Sequence, residues 1–521
     1  MRTKKNILCA VLCFAAVMCG AQGFVIVESV TRHELNPQVT SYSSDSQILN
    51  GLFEGLFSYN PLTLEPDYAI ASGFKISRDK KRWTITLREN ARFSNGEAIT
   101  AVSVRYSWLH LLATKEAPYA SLLDIIENAE NYRSGLCAAD DVGISVLDDR
   151  TLAVRLTAPA NYLPRLLCHS AFSIVHRIPT VYTGAYMLED QDEKSYLLKK
   201  NPYYWDAQNV QLDEITFLQS NDDAENAFLF NTGNADWVIN NVNVDMVLNK
   251  NAVQVGGEFG TSYYFFKLSS QARGKTDDNP ADFNPWDFPE FRNAVMEAVP
   301  WDALRANAAV PAKTFVYPLT GYDAPDGFDY TDTDEAVRMM NAAREKHNIS
   351  LDKALPLVFE VSEFTLSDEK KDALKNALSP LGVELVIREI PSSFYLANVP
   401  HSTADLFAYT WVGDFADPLA FLELFRGGSS LNDSGWSDPE YDALIDRAAS
   451  ASDFERNRLL SQAEKILLDS GMVIPIFHPV SFNLINLSET GGWSVNAFDI
   501  HPLKYLYRKE SKKSIRNLVM R

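Results

Sequence analysis

The residue types that most often carry catalysis or hold a metal are few in this chain and poorly spaced for either role. His33-Glu34 could open a zinc-binding helix, but Asn36-Pro37 follows, and a helix does not continue through that proline. His169 and His176 lie seven residues apart without a third ligand nearby, so we interpret them as structural or surface histidines. Cys168 directly precedes His169, and adjacent strand residues point to opposite faces, which argues against a thiol–imidazole pair.

The familiar enzyme motifs are also missing from the sequence. It contains no Gly-x-Ser-x-Gly elbow, no phosphate-binding loop, no Gly-x-Gly-x-x-Gly and no His-Glu-x-x-His. The acidic segment 323–334 lacks the spacing of a calcium-binding loop and is interpreted as a solvated loop that ends in a helix cap before Ala336. With 68 acidic residues, a glycosidase-like carboxylate pair stays open, but none stands out. We therefore predict no catalytic residue, no metal ligand and no cofactor.

The hydrophobic patterns indicate the elements that must position any site. Residues 82–88 alternate with period two, as in a half-buried strand, and Thr100 caps a helix with Val104, Trp108, Leu111 and Leu112 on its buried face. Further strands are predicted at 151–157, 211–217, 355–361 and 383–390, and helices at 368–378, 441–449 and 454–468. Residues 437–440 read as a capping box, and Pro475 ends the last helical pattern. This mixture predicts an α/β protein with mixed sheets.

Length and composition exclude several classes of protein. The chain has 521 residues, 46% hydrophobic and 22% charged, which is an ordinary globular composition and long enough for two to four domains or lobes. The net charge of −20 opposes binding to a phosphate backbone, so we expect no nucleic-acid partner. Aromatic residues make up 12%, a fraction that fits either a large core or a ligand cleft.

The N-terminus reads as an export leader. Three basic residues precede a twelve-residue apolar run at 7–18, which is too short to span a bilayer. Cleavage after Ala21 would define a signal peptide of residues 1–21 and lower the net charge to −23. In a second reading, Cys19 is a lipidated N-terminal residue. Cys137 and Cys168 remain in the body of the chain, either as one disulfide or as buried thiols.

Several short blocks follow one another along the chain, at 35–37, 51–56, 83–90, 93–97, 100–101, 106–108, 142–151, 184–186, 201–206, 411–418 and 437–442. In this order they resemble the peptide-binding components of ATP-driven importers, extracellular solute-binding protein family 5. Each block alone is weak, but their shared order over residues 30–507 is specific.

The resemblance implies a two-lobed periplasmic-binding-protein fold whose lobes are joined by two hinge crossovers. It implies a first lobe at 22–260 with an extra subdomain at about 48–168, a second lobe at 261–479, and a return of 480–521 to the first lobe. Such proteins catalyse nothing; they close around a peptide in the periplasm and deliver it to an inner-membrane ABC permease. We expect a monomer.

The resemblance also implies the site residues. Asp414 would pair with the peptide ammonium, 409–413 (Tyr409, Trp411, Val412 and Gly413 among them) would offer backbone hydrogen bonds, and Trp411 and Tyr119 would line the cleft from opposite lobes. Trp83 and Trp108 are expected in the core. The sequence departs from the family at Ala408, where oligopeptide-binding members have an arginine for a peptide carboxylate, so that this counter-charge must come from elsewhere, for example Arg426, or from water.

Other functions stay open. The same fold could hold a metal chelate, haem or a sugar, because relatives with this architecture do so. A secreted hydrolase acting through carboxylates is a remote alternative, and a surface adhesin or chaperone that has kept the fold is another.

Overall fold

The protein is a mixed α/β structure with several sheets. A computed structural model describes residues 23–29, 32–40, 42–115, 117–269, 283–319, 321–413, 415 and 417–509. The strands are β1 (Phe24–Glu28), β2 (Phe57–Tyr59), β3 (Pro66–Tyr68), β4 (Ala71–Ile76), β5 (Arg82–Leu87), β6 (Ile144–Asp148), β7 (Thr151–Arg155), β8 (Tyr186–Gln191), β9 (Ser195–Lys200), β10 (Glu214–Gln219), β11 (Trp237–Ile239), β12 (Val253–Gly257), β13 (Gly260–Phe266), β14 (Val310–Pro311), β15 (Leu355–Ser362), β16 (Val383–Ile390), β17 (Leu406–Val412), β18 (Val473–His478), β19 (Val480–Ile485), β20 (Thr490–Gly491) and β21 (Tyr507–Arg508).

Helices cover the sheets and fill the connections between them. The α-helices are α1 (Ser43–Leu52), α2 (Ala101–Ala113), α3 (Ala129–Arg133), α4 (Leu163–Leu166), α5 (Asp223–Asn231), α6 (Pro289–Ala298), α7 (Trp301–Leu304), α8 (Thr333–Lys346), α9 (Asp368–Leu378), α10 (Ser392–Asn398), α11 (Leu419–Leu422), α12 (Pro439–Ser450) and α13 (Asp453–Asp469). Among the helices in the described ranges, none is long and apolar enough to cross a membrane.

The first lobe is built on a seven-stranded mixed sheet in the order β12-β19-β11-β1-β10-β9-β8. β1 runs parallel to β10 and β11, and the other pairs are antiparallel. Strand β19 belongs to the C-terminal part of the chain, so this lobe is discontinuous in sequence. Its return segment is tied down by a buried ion pair, because Lys504 Nζ lies 2.7 Å from Glu54 Oε1. Tyr204 and Trp205 donate to the same carboxylate.

The second lobe is built on a six-stranded mixed sheet in the order β14-β18-β13-β17-β15-β16. β15, α9 and β16 form the predicted β-α-β unit, with β15 and β16 parallel. β17 pairs with β13 in antiparallel over its whole length and with β15 in parallel only at its beginning. β17 therefore lies inside the sheet at one end and extends beyond β15 at the other.

A small subdomain of the first lobe is formed by the antiparallel sheet β4-β5-β7-β6 and helix α2. Trp83 on β5 and Trp108 on α2 are both buried, which confirms that they belong to the core. One continuous hydrophobic cluster joins this subdomain to the second lobe. The subdomain and the second lobe are consequently in direct contact.

The chain passes between the two large sheets twice. Residues 258–259 connect β12 to β13, and Pro479 connects β18 to β19. The crossovers lie side by side, since the Glu258 N–H donates to the Pro479 carbonyl over 3.0 Å. The fold is therefore the two-lobed arrangement with two crossovers that the family resemblance implies.

Local predictions hold with a few corrections. The strand predicted at 211–217 is observed three residues later as β10, and the cap of α12 is Asp438, whose side chain accepts the N–H groups of Glu440 and Tyr441, rather than Ser437. Pro475 lies within strand β18, after α13 has ended at Asp469. Cys137 and Cys168 are free, half-buried thiols, so the structure shows no disulfide between them. The predicted leader, including Cys19, lies outside the described residues.

Candidate functional site

A cavity of about 130 Å³ lies between the two lobes. The first lobe and its subdomain contribute a mostly hydroxyl-bearing wall: Thr40, Tyr42, Ser44, Ser46, Tyr119, His169, Ser170, Phe498 and Ile500. The second lobe contributes Leu396 and the end of β17 with the residue after it: Thr410, Trp411, Val412 and Gly413. Four of the six site residues predicted from the sequence therefore line one cavity.

Tyr119 and Trp411 meet across this cavity. Their ring centroids lie 6.4 Å apart, with the planes inclined by 44°. The Trp411 indole N–H donates to the Ala420 carbonyl over 2.8 Å, which fixes the ring within the second lobe. Tyr119 packs against His169, with the ring centroids 4.3 Å apart. Each aromatic ring is thus held by its own side of the cleft.

The end of β17 presents a backbone edge toward the cavity. The pairing of β17 with β15 ends at Phe407. At Ala408, the backbone N–H donates to the Tyr395 hydroxyl and the backbone carbonyl accepts from it, both over 2.9 Å. Backbone groups alternate in direction along a strand, so the N–H and C=O of Thr410 and Val412 face the same way as those of Ala408. This edge has the geometry to pair with an extended chain.

Gly413 follows β17 where the second lobe approaches the first crossover. A Cβ at this position would lie 2.4 Å from Phe259 Cε1 and 3.2 Å from Phe421 Cε2, so no side chain fits without displacing a ring. The Gly413 N–H donates to the Phe259 carbonyl. Because position 413 is a glycine, this end of the cavity lining packs directly against Phe259 of the first crossover.

The other predicted site residues lie elsewhere or are not described. Asp414 lies outside the described residues. The Tyr409 side chain turns into the second lobe, where its hydroxyl donates to Asp433 over 2.9 Å, and burial raises its pKa. In the antiparallel register, the Tyr409 backbone faces Tyr263 on β13, away from the free edge. Tyr409 is accordingly absent from the cavity lining.

Arg426 lines a different cavity of about 340 Å³ between the subdomain and the second lobe. Its guanidinium lies 2.6 Å from Asp446 and 3.6 Å from Glu423, so its charge is already matched by two carboxylates. Burial raises the pKa of Glu423 to about 7, although the Arg426 charge acts in the opposite direction. Arg426 is therefore not placed to meet a ligand carboxylate in the Tyr119–Trp411 cavity.

Sequence reasoning missed several lining residues. The sequence patterns indicate only a structural or surface role for His169, and they assign no role to the hydroxyl-rich run that starts at Thr40. The signal that would have found the run is its composition, with five serine or threonine residues within 40–46, at the start of helix α1. Nothing local distinguishes His169 from a core histidine.

Direct contacts hold the subdomain against the second lobe. The Ser430 hydroxyl donates to the Pro118 carbonyl over 2.6 Å and lies 3.0 Å from the Ser121 hydroxyl. Farther along the cleft, Tyr162 stacks on Phe415 with centroids 6.4 Å apart, and the Arg456 guanidinium lies 4.3 Å from the Tyr162 ring centroid. Arg456 is held by a buried bidentate pair with Asp417. The lobes are thus in contact around the cavity.

Two lobes, paired crossovers and a cavity between the lobes define a bilobal protein of the periplasmic-binding class. No group of His, Cys, Asp or Glu side chains suited to a metal ion is found within the part of the chain that the structure describes.

The chain belongs to the bacterial extracellular solute-binding proteins, family 5, whose middle-region model matches residues 65–433. It is 27% identical over 501 residues to the dipeptide-binding protein DppE of Bacillus subtilis, covering 90% of this chain and 88% of that one. It is also 27% identical over 509 residues to the periplasmic oligopeptide-binding protein OppA of Salmonella typhimurium, and this match covers 91% of this chain and 90% of that one.

Solved structures show the same fold. The murein tripeptide-binding protein MppA of Escherichia coli superposes with a TM-score of 0.81 at 23% identity, covering 94% of this chain and 99% of that one. An unliganded open form of MppA superposes with a TM-score of 0.64, also at 23% identity, and this match covers 94% of this chain and 98% of that one.

Proposed function

We propose that this protein is the periplasmic receptor of an ABC importer and captures peptides in the cavity between Tyr119 and Trp411. The observation that carries the proposal is the joint placement of these two rings and the free edge of β17 in one interlobe cavity. Peptide binding by DppE and OppA, the relatives whose names specify such ligands, supports the same assignment.

An extended peptide brings unpaired backbone groups and two charged termini into the cleft. The edge formed by Thr410 and Val412 pairs with its backbone as an added strand, because burying unpaired N–H and C=O groups is costly. Asp414, which follows this edge directly, pairs with the peptide ammonium. Ala408 supplies no cation for the carboxylate, so we assign no counter-charge for that terminus within the cavity.

Binding and export complete the proposed cycle. The lobes close by hinge motion at 258–259 and 479, so that a ligand bridging both lobes shifts the population toward the closed state. We propose lobes at 22–260 and 261–479, with 480–521 returning to the first. A signal peptide of 1–21 would direct export, and Cys19 is the alternative site of a lipid anchor. The closed monomer then delivers its ligand to an inner-membrane permease.

The sharpest test replaces Asp414 by alanine. Loss of the carboxylate leaves the ligand ammonium unpaired, which costs about 3–5 kcal/mol and lowers affinity on the order of a hundred- to a thousandfold. Isothermal titration calorimetry with an equimolar tripeptide mixture measures the change, and Glu89→Gln, an exposed carboxylate on the subdomain, is the matched control. Equal affinity of the Asp414→Ala variant and the wild type would remove Asp414 from the site.

Native mass spectrometry of the protein purified from its host tests the ligand class. Captured peptides appear as a ladder of masses. A single discrete mass would instead identify one non-peptide ligand such as a chelate, haem or a sugar, and would overturn the peptide assignment while keeping the binding fold.

A further inference from the structure

A buried ionic triad lies behind the first-lobe side of the cavity. His33 Nε2 lies 2.5 Å from Glu28 Oε1, and His33 Nδ1 lies 2.9 Å from Asp45 Oδ1. All three side chains are at most 4% exposed. A buried charge persists only when it is paired and hydrogen-bonded, and here each member meets that condition through another.

The triad is joined to the cavity through Asp45. Asp45 Oδ1 accepts a hydrogen bond from the His33 ring, and Asp45 Oδ2 accepts one from the Thr40 hydroxyl over 2.6 Å. The Thr40 hydroxyl oxygen in turn accepts the Tyr42 N–H over 3.1 Å. Thr40, Tyr42, Ser44 and Ser46 form the wall of the cavity on this side, and we call these four residues the hydroxyl wall.

Each member of the triad comes from a different part of the first lobe. Glu28 ends β1, His33 lies in the following loop, and Asp45 lies in the first turn of α1. The His33 backbone N–H donates to the Tyr196 hydroxyl on β9, and the two rings pack edge to face with centroids 5.2 Å apart. The hydroxyl wall is therefore connected through Asp45 and His33 to the central sheet.

While Glu28 and Asp45 are ionised, the protonation state of His33 decides whether both carboxylates receive a hydrogen bond from the ring. Only the imidazolium donates from both ring nitrogens, whereas the neutral ring has one donor and leaves one carboxylate facing a lone pair. The titratable groups that face the ring are Glu28 on β1, Asp45 on α1 and Tyr196 on β9, and Tyr42 faces Asp45. Burial lowers the pKa of His33, but hydrogen bonds to Asp45 and Glu28 and the charges of both carboxylates raise it to about 9.

We propose that Glu28, His33 and Asp45 are positioning residues of the ligand site, which hold the hydroxyl wall in the shape that accepts a peptide. The triad itself does not touch the ligand. This inference rests on the proposed function, because its readout is peptide affinity. In this proposal, the triad is the part of the first lobe that sets the shape of the cavity wall opposite β17.

The first test separates the hydrogen bond from the side-chain volume at Thr40. Thr40→Val removes the donor to Asp45 at similar volume, and we expect about tenfold weaker binding of an equimolar tripeptide mixture by calorimetry at pH 7. Thr40→Ser keeps the hydroxyl and is expected to restore affinity to within about twofold of the wild type. Unchanged affinity in Thr40→Val would overturn the proposal.

The second test addresses His33 itself. His33→Gln is expected to weaken binding about tenfold at pH 7, and the difference from the wild type is expected to vanish above pH 9, where the wild-type imidazole becomes neutral. Comparing the two profiles cancels the titration of the peptide amine, which both proteins share. A constant difference between the profiles across pH 6–10 would overturn the proposal. If His33→Gln does not fold, the Thr40 pair decides the question.

A control separates positioning from general instability. Lys504→Met also removes a buried cation paired with a carboxylate in the first lobe, but Lys504 does not line the cavity. We expect a lower melting temperature with unchanged affinity. If Lys504→Met lost as much affinity as His33→Gln, both losses would be effects of instability, and the proposal would be overturned.

The failure of the proposed function gives a different result. A wild-type protein that binds no peptide would overturn the proposed function, and with it this inference.

Discussion

The aromatic rings of Tyr119 and Trp411 face each other across the interlobe cavity with their centroids 6.4 Å apart. One ring belongs to the subdomain of the first lobe and the other to the central sheet of the second, so each lobe contributes one of the two rings. Because Trp411 is also fixed by its hydrogen bond to Ala420, this side of the cavity is held within the second lobe itself.

Trp411 variants test this role. Trp411→Phe loses the hydrogen bond to Ala420, which costs about 1 kcal/mol of unfolding free energy, but it keeps most of the ring surface. Trp411→Ala also removes the ring that faces Tyr119, and we expect a loss of about 2 kcal/mol or more in peptide binding. Urea denaturation and calorimetry measure the two effects separately. Wild-type affinity in Trp411→Ala would show that the ring does not contribute to binding.

Gly413 tests the close approach between the cavity floor and the hinge. Gly413→Ala forces its new methyl group against Phe259, and we expect a destabilisation of about 1–3 kcal/mol in urea unfolding. Gly73→Ala is a matched control, since a Cβ there meets no atom within 4 Å; its effect should stay within about 0.5 kcal/mol. Equal stabilities of the two variants would contradict the steric argument.

Tyr162 tests the contact that holds the subdomain against the second lobe. Tyr162→Ala removes the stack on Phe415 and the contact with the Arg456 guanidinium, and we expect this to weaken the contact between the subdomain and the second lobe by about 1–3 kcal/mol. Small-angle X-ray scattering of the ligand-free protein should show a larger radius of gyration. Tyr162→Phe keeps the ring and should scatter like the wild type; an unchanged radius in Tyr162→Ala would mean that this contact does not hold the lobes together.

His33 makes the stability of the protein depend on pH in a defined direction. Its pKa is about 9 in the folded protein and about 6.5 when unfolded. The stabilisation is therefore fully present below pH 6.5 and is lost as pH rises through 9, a change on the order of 3 kcal/mol. Urea titrations at pH 6.5, 8 and 9.5 should show this fall in the wild type and a shallower one in His33→Gln. Parallel slopes in both proteins would exclude His33 as the source.

The sequence alone determined the elements whose signals are local. α9 and β16 are observed with the predicted bounds, and α2 buries the predicted face, because hydrophobic periodicity and caps depend on residues within one or two turns. The predicted bounds are less accurate where the ends of a strand carry weak sequence signals, as the shift of β10 by three residues shows. The order of short blocks was enough to identify the family, because collinear matches accumulate over the whole chain.

The tertiary structure decided which side chains meet. A tryptophan in a core and one beside a cavity have the same local pattern, so only the packing of two lobes shows that Trp411 faces Tyr119. Among the described residues, β15 pairs only with the beginning of β17 and leaves the edge at Thr410 and Val412 open, and no pattern within β17 encodes that. His33 gained its role from Glu28 and Asp45, which the fold brings to its two ring nitrogens. Contacts between separate elements depend on the whole fold, and their chemistry becomes visible only there.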